Sequence, residues 1–185
     1  MSLLELLRLA PPPPNPIYTG LEKDFLQIEN QIGSELPSDY KEYIKYYGDC
    51  MWYRHICIST PFDPVDNGNY SLWGWHKKNI QQLKTLFESS LPIIKHPIYP
   101  EKGGIFLCGG DIFGEMIAWI TEGKPDDWSV VYFNVDCASF NKYDMNITTF
   151  LLKLVKNEIH PDCFPCDLRD IHKNRPIATV TSVEP

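Results

Sequence analysis

The chain has 185 residues, of which 43% are hydrophobic and 22% charged, and this balance fits one compact domain with an ordinary core. Its formal net charge is −7 at pH 7, which argues against nonspecific binding to nucleic acid because the phosphate backbone is repelled. No apolar run reaches the roughly 18 to 20 residues that a membrane-spanning helix needs, which argues against a membrane-inserted protein.

The start of the chain predicts a short amphipathic helix joined to the rest by a stiff segment. Ser2–Ala10 is mostly apolar, but Glu5 interrupts the run and no basic segment precedes it, so we do not interpret it as a signal peptide. The proline-rich stretch Pro11–Pro16 follows, and proline fixes φ and removes N–H donors. We therefore expect residues 1–17 to form a helix and linker loosely attached to the domain. Without an export signal, we also expect a cytoplasmic protein whose six cysteines are reduced thiols.

Helical periodicity continues after this linker. Apolar side chains at Leu21, Phe25, Ile28 and Ile32 recur every three or four residues, which predicts a helix that ends near Gly33. Further helices are predicted over residues 36–48, 75–88 and 146–159, the last of them capped by Asp144 or Asn146.

Short strand-like runs occupy the centre of the sequence. They are separated by glycine-rich or acidic turns, as is typical of an antiparallel meander, and comprise Gly104–Cys108, Glu115–Ile120 and Val130–Asn134. An earlier strand is predicted over Tyr53–Ser59, followed by a long loop. The periodicity is lost after His160-Pro161. The elements therefore predict an α/β fold of the α+β type, with helices packed on one face of a mostly antiparallel sheet over residues 18–160 and an irregular tail over 161–185.

The order of these elements, together with their motifs, resembles the SUKH superfamily. The resemblance covers roughly Leu21 to Ile159, and its residues are the helix start Leu36-Pro37-Ser38-Asp39-Tyr40, the helix end Tyr46-Tyr47-Gly48 and the turn Cys108-Gly109-Gly110-Asp111-Ile112-Phe113-Gly114-Glu115. This group is named after a yeast cell-wall synthesis regulator, and its bacterial members are largely immunity proteins that neutralise polymorphic toxins. The resemblance implies a SUKH-like fold and a protein that acts by binding another protein, without a catalytic centre or cofactor.

The resemblance also implies that partner contacts lie on the exposed face of the meander and on its loops. The candidates are mainly acidic and suggest a basic toxin domain, such as a nuclease: Asp111, Glu115, Glu122, Asp126, Asp127, Trp128 and Asp136. The acidic excess has a simpler interpretation, because it also keeps cytosolic proteins soluble. A regulatory or scaffold module that binds a cellular protein is the alternative function.

One stretch of the sequence could support metal chemistry. His160, Cys163, Cys166 and His172 are four potential zinc ligands, and two cysteines at this spacing can share a metal. Structural zinc sites usually place a substantial loop between two ligand pairs, whereas all four residues here fall in one stretch. The sequence offers neither a phosphate-binding loop nor a serine nucleophile elbow. We therefore expect no metal and no enzymatic activity, and a small zinc-dependent protein remains as a second alternative.

Overall fold

The computed structural model describes residues 2–64, 68, 70–88, 95–111, 114–134, 139–162, 164 and 176–180, without the side chains at 86–88, 111 and 180. The helices found there are α1 (Ser2–Leu9), α2 (Glu22–Ile32), α3 (Ser38–Tyr47), α4 (Leu72–Glu88) and α5 (Ile147–Val155). The strands are β1 (Cys50–Trp52), β2 (Ile56–Ile58), β3 (Ile105–Asp111), β4 (Glu115–Ile120), β5 (Ser129–Asn134), β6 (Ser139–Tyr143) and β7 (Ala178–Val180). Across this part of the chain, no helix combines the length and the apolar character needed to cross a membrane.

Local sequence signals set the ends of two predicted helices. Gly33 follows α2 with a φ of +82°, a left-handed conformation that glycine adopts readily, and its N–H donates to the Glu29 carbonyl at 2.8 Å. Asn146 caps α5, since its side-chain oxygen accepts a hydrogen bond from the Thr149 N–H at 3.0 Å. Asp144, the other predicted cap, instead accepts a hydrogen bond from the Ser129 hydroxyl.

The strands form one sheet in the order β6-β5-β4-β3-β2-β1-β7, and every neighbouring pair is antiparallel. In the central pair, Glu115 at the start of β4 lies opposite Asn134, and Ile120 at its end lies opposite Ser129. The predicted α+β class and antiparallel sheet are confirmed.

Alternation along the central strands separates two apolar clusters, one on each face of the sheet. Phe106, Ile117 and Tyr132 belong to the larger cluster, to which α1, α2, α3 and α5 contribute Leu6, Phe25, Tyr40 and Leu151. Ile105, Leu107, Ala118 and Val131 belong to the smaller cluster, together with Leu83 of α4. The structure therefore adds one feature to the predicted arrangement, because Leu83 of α4 packs against the second face, while Leu72 at the start of the same helix belongs to the larger cluster.

Helix α1 belongs to the core, which corrects the expectation of a loosely attached appendage. Leu6 and Ala10 are fully buried. The Tyr47 hydroxyl of α3 donates to the Ala10 carbonyl at 2.8 Å, and the hydroxyls of Ser2 and Thr148 lie 3.0 Å apart. The helix thus packs against α5, the residue after it is hydrogen-bonded to α3, and the proline-rich stretch connects two parts of one packed unit.

The C-terminal region also contributes to the sheet, so the expectation of an irregular tail is wrong for residues 178–180. Ala178–Val180 forms β7 and pairs with β1, with Met51 opposite Thr179. Phe164 is buried and packs edge-on against the Tyr132 ring, with 6.2 Å between the ring centroids. The remaining tail residues, 163, 165–175 and 181–185, lie outside the described part of the chain.

Candidate protein-binding groove

Three loops meet at the end of the sheet where β3 begins and β4 ends. They are the turn after α2 (residues 32–34), the turn before β3 (residues 99–102) and the connection from β4 to β5 (residues 121–128). Between them lies a cavity of about 320 Å³ that is open to the surface, which we call the groove. Its volume falls within the range of sites that accept a small ligand or a few side chains of a partner.

Hydrogen bonds between the loops hold the groove in shape. The Tyr99 hydroxyl donates to the Ile32 carbonyl at 2.8 Å, which ties the second loop to the first. Burial raises the pKa of Tyr99, so this hydroxyl stays protonated as a donor. The Gly103 N–H donates to the Thr121 carbonyl at 3.1 Å, and the Thr121 hydroxyl donates to the Gly104 carbonyl at 2.9 Å. These bonds join the second loop to the third.

Trp128 lines the groove and carries a polar group without a protein partner. Only 5% of its surface is exposed, and its ring packs against Trp119 and Phe106 with centroid distances of 5.9 and 6.4 Å. Its indole N–H is buried and donates no hydrogen bond within the described part of the chain. Buried donors normally have an acceptor, so this N–H is an exception among the described residues.

Exposed acidic residues border the groove on the connection between β4 and β5, which we call the acidic turn (residues 122–127). Glu122, Asp126 and Asp127 are exposed there, and Lys124 lies between them. On the opposite rim, Glu101 and Lys102 are both exposed. The rim therefore carries more carboxylates than amines.

Asp126 has a structural role that the sequence did not reveal. Its carboxylate accepts a hydrogen bond from the Ser38 N–H at 2.6 Å, and this bond lowers the pKa of Asp126. Ser38 is the first residue of α3, so Asp126 caps this helix from a distant loop. Glu122 and Asp127 form neither a side-chain hydrogen bond nor an ion pair within the described residues, so their carboxylates face solvent.

The seven candidate contact residues do not form one surface. Glu122, Asp126, Asp127 and Trp128 lie together at the groove. Glu115 begins β4 at the opposite end of the sheet, where its Oε2 lies 4.0 Å from His55 Nε2. The side chain of Asp111 and the whole of Asp136 lie outside the described residues.

Glu115 and Trp128 correct the expectation of surface exposure, because each is only 5% exposed. Glu115 shares its face of β4 with Ile117 and Trp119, which belong to the larger apolar cluster. The burial of Glu115 could have been predicted from the sequence, since residues two apart on a strand point to the same side and its neighbours at this spacing are apolar. Trp128 is buried because the aromatic rings beneath the groove surround it, so it acts as part of the floor and not as a protruding anchor.

The alternative zinc ligands stay untested by the geometry. Cys163, Cys166 and His172 lie outside the described residues, and His160 is exposed. Within the described residues, no group of three or more His, Cys, Asp or Glu side chains is arranged to hold a metal ion. The described cysteines are free thiols, and burial raises the pKa of Cys108.

Two of the three loops of the groove carried no functional prediction. The turn at residues 99–102 and the glycine turn after α2 have no motif that marks a site, and the hydrogen bond from Tyr99 to Ile32 that joins them has no sequence signature. The acidic turn could be found because Pro125, Asp126 and Asp127 form a local turn signature.

Comparison with known proteins identifies a family. The SUKH family model described as SMI1-KNR4 cell-wall matches residues 22–151, from the first residue of α2 into α5. No curated protein and no solved structure matches the chain.

Proposed function

The chain belongs to the SUKH family, and from this membership we propose that it is an immunity protein that binds a cognate toxin domain and neutralises it by direct contact. It acts in the cytoplasm, where a toxin that enters or is made in the cell would meet its target. It needs no cofactor and no catalytic centre, because occupying the active site or the substrate groove of the toxin is sufficient for protection.

The groove is the observation that carries this proposal. It offers a shaped recess with Trp128 in its floor and a rim with an excess of carboxylates. A loop of the toxin would occupy the recess, and each hydrogen bond that it forms there contributes about 1 kcal/mol. Lysine or arginine side chains beside that loop would approach Glu122 and Asp127. The proposed partner is therefore a basic toxin domain, such as a nuclease.

The energetics of protection set the required affinity. A complex with nanomolar affinity corresponds to about 12 kcal/mol of binding free energy. The groove alone is too small to provide this, since stable interfaces bury about 800 Å² on each partner. We therefore place the groove at the centre of a larger contact, in which the exposed carboxylates mainly raise the rate of encounter.

Calorimetric titration with the toxin domain encoded beside the gene tests the proposal. The wild-type chain should form a stoichiometric complex that weakens as salt concentration rises. The double variant Glu122→Lys/Asp127→Lys should bind at least about tenfold more weakly, because it reverses two charges at the rim. Glu158→Lys is the matched control, since Glu158 is exposed and pairs only with Lys156 on the surface. If the wild type and the double variant bound the toxin domain with equal affinity, the rim of the groove would not be part of the interface.

A regulatory or scaffold module is the second candidate function. The description of the matching family model refers to the cell wall, and the yeast regulator behind the family name acts in cell-wall synthesis. In that case the same groove binds a cellular protein and inhibits no toxin. Co-purification of the tagged chain from its native cell distinguishes the two, because the scaffold function predicts a stable cellular partner and no protection from a toxin.

A further inference from the structure

The exposed side of α4 has a charge opposite to that of the whole chain. Leu83 and His76 are buried on one side of this helix, while the other side is solvent-exposed. Between residues 77 and 85 the exposed side chains comprise three lysines and three neutral residues: Lys77, Lys78, Gln81, Gln82, Lys84 and Thr85. From Leu72 to Thr85 the helix contains no carboxylate. We call this surface the basic face.

The lysines of the basic face rest on aromatic rings. The Lys78 Nζ lies 4.7 Å from the centroid of the Tyr70 ring, and the Lys77 Nζ lies 5.6 Å from that of Trp73. Both distances are within the range of cation–π attraction. Tyr70 is 46% exposed, so the ring and the ammonium group form one accessible surface. Two of the three charges are thereby held close to the helix.

These lysines have no carboxylate partner in the described part of the chain, in contrast to four lysines elsewhere. Lys41, Lys45, Lys142 and Lys156 each lie within 3.4 Å of a carboxylate oxygen. Lys77, Lys78 and Lys84 form no ion pair there. The other described lysines are unpaired like those of α4, but they are scattered over several elements: Lys23, Lys95, Lys102, Lys124 and Lys153. What sets Lys77, Lys78 and Lys84 apart is that all three are exposed on one helix and that no described carboxylate pairs with them. The basic face therefore keeps its full charge available for a partner.

We propose that the basic face of α4 is a second interaction surface, which binds an acidic segment of a partner protein. Lys77 and Lys84 are seven residues apart on the helix, which places them about 10 Å apart along its axis. Carboxylates three residues apart on a segment in the polyproline II conformation lie on the same side of the segment, because this conformation has three residues per turn, and they have nearly the same separation, about 9 Å. The three lysines cover only a short length of the helix, so a short acidic segment can pair with them without extending onto the rest of the negatively charged surface. A nucleic acid instead brings a continuous line of phosphates to a protein of net negative charge, which opposes its approach.

This inference does not depend on the immunity function, and a peptide titration tests it alone. The probe is a fluorescein-labelled peptide with glutamate at every third position, and binding to the full chain is measured by anisotropy at low and moderate salt. We expect binding that weakens with salt, and no comparable binding of the same peptide with glutamine in place of glutamate. Lys77→Glu/Lys84→Glu should reduce the affinity by about tenfold, since two contacts become repulsive. Lys77→Gln/Lys84→Gln should give a smaller loss.

Lys23→Glu is the matched control, because Lys23 is an exposed lysine of another helix. It should change the affinity by less than about twofold if the contact is confined to α4. Equal binding of the glutamate and glutamine peptides would overturn the proposal, as would an equal loss in the Lys23 variant. Tighter binding of single-stranded DNA of the same length, lost in the α4 variants, would assign the face to nucleic acid and refute an acidic protein segment. The proposal would also be refuted if the chain self-associated in a salt-sensitive way and the α4 variants did not. The basic face would then bind a second copy of this chain.

Discussion

The buried imidazole of His76 should make the stability of this protein depend on pH in the mildly acidic range. His76 is fully buried among Trp73, Tyr99 and Phe106, with ring-centroid distances of 5.5, 6.0 and 4.9 Å. Its Nδ1 accepts a hydrogen bond from the Leu107 N–H at 3.3 Å. Its Nε2 lies 3.4 Å from the Tyr99 carbonyl and donates to it in the neutral tautomer that this arrangement requires. The native structure therefore holds a neutral ring.

The magnitude follows from the pKa. Burial lowers the pKa of His76 from its ordinary value of 6.5 to about 4. The unfolded chain then binds the proton more tightly than the native chain. The contribution of the neutral His76 ring to the free energy of unfolding is fully present above about pH 6.5 and is lost as the pH falls towards 4. At 1.36 kcal/mol per pKa unit, the full loss is about 3 kcal/mol, a large part of the 5–15 kcal/mol that stabilises a typical domain.

Urea unfolding between pH 7 and pH 4 measures this effect. In His76→Phe, the free energy of unfolding should be lower at pH 7, because the Leu107 N–H loses its acceptor at a cost of about 1–3 kcal/mol. Between pH 7 and pH 4, however, the variant should lose about 3 kcal/mol less than the wild type. His160→Gln, at an exposed histidine, should keep the pH dependence of the wild type. If His76→Phe and the wild type lose the same free energy over this range, the argument from burial is refuted.

Three further substitutions test the packing of α1, the shape of the groove and the cap of α3. Leu6→Ala should destabilise the chain by about 2–5 kcal/mol because it leaves a cavity in the core, whereas Leu4→Ala, at a residue that is 74% exposed, should have little effect; urea unfolding checks both. Gly104→Ala should cost about 1–3 kcal/mol in thermal unfolding, since its Cβ would lie 2.5 Å from the Tyr99 nitrogen. Gly103→Asn is its control, because its Cβ would meet nothing within 4 Å and asparagine tolerates the φ of +73°. Asp126→Ala should cost about 1 kcal/mol in urea unfolding through loss of the hydrogen bond to Ser38, whereas Asp127→Ala should cost much less.

Each of these pairs has an outcome that contradicts the structural reasoning. A small loss of unfolding free energy in Leu6→Ala would mean that α1 is only loosely attached to the core. Equal stability of the two glycine variants would mean that the turn at residues 99–102 tolerates displacement. Equal effects of the two aspartate variants would mean that Asp126 does not cap α3.

Elements with a local signal could be predicted from the sequence. The start of α3 was found because Pro37 and Asp39 suit the first turn of a helix, and its end was found at Gly48. The limits of β4 were found because glycine and polar residues border a continuous apolar run. Strands β1, β6 and β7 were missed, and β7 pairs with residues far away in sequence. No local pattern encodes such a pairing.

The groove could be predicted only in part, for a similar reason. The acidic turn is contiguous in sequence, so its exposed carboxylates were found. The hydroxyl of Tyr99 reaches the Ile32 carbonyl across 67 residues, and the Asp126 carboxylate reaches Ser38 across 88. Neither contact has a signature in the sequence. Exposure was misjudged where a polar or amphipathic residue, Glu115 or Trp128, occupies a core-facing position.

Protection of cells from the cognate toxin tests the central claim most directly. Cells that produce a candidate toxin, identified as a toxin domain encoded beside the gene, would be plated with the wild-type chain, with Glu122→Lys/Asp127→Lys or with Glu158→Lys, all at equal soluble levels. The immunity function predicts that the wild type and the Glu158 variant restore growth, and that the double variant at the groove does so poorly. Failure of the wild-type chain to protect against that toxin would contradict the immunity function.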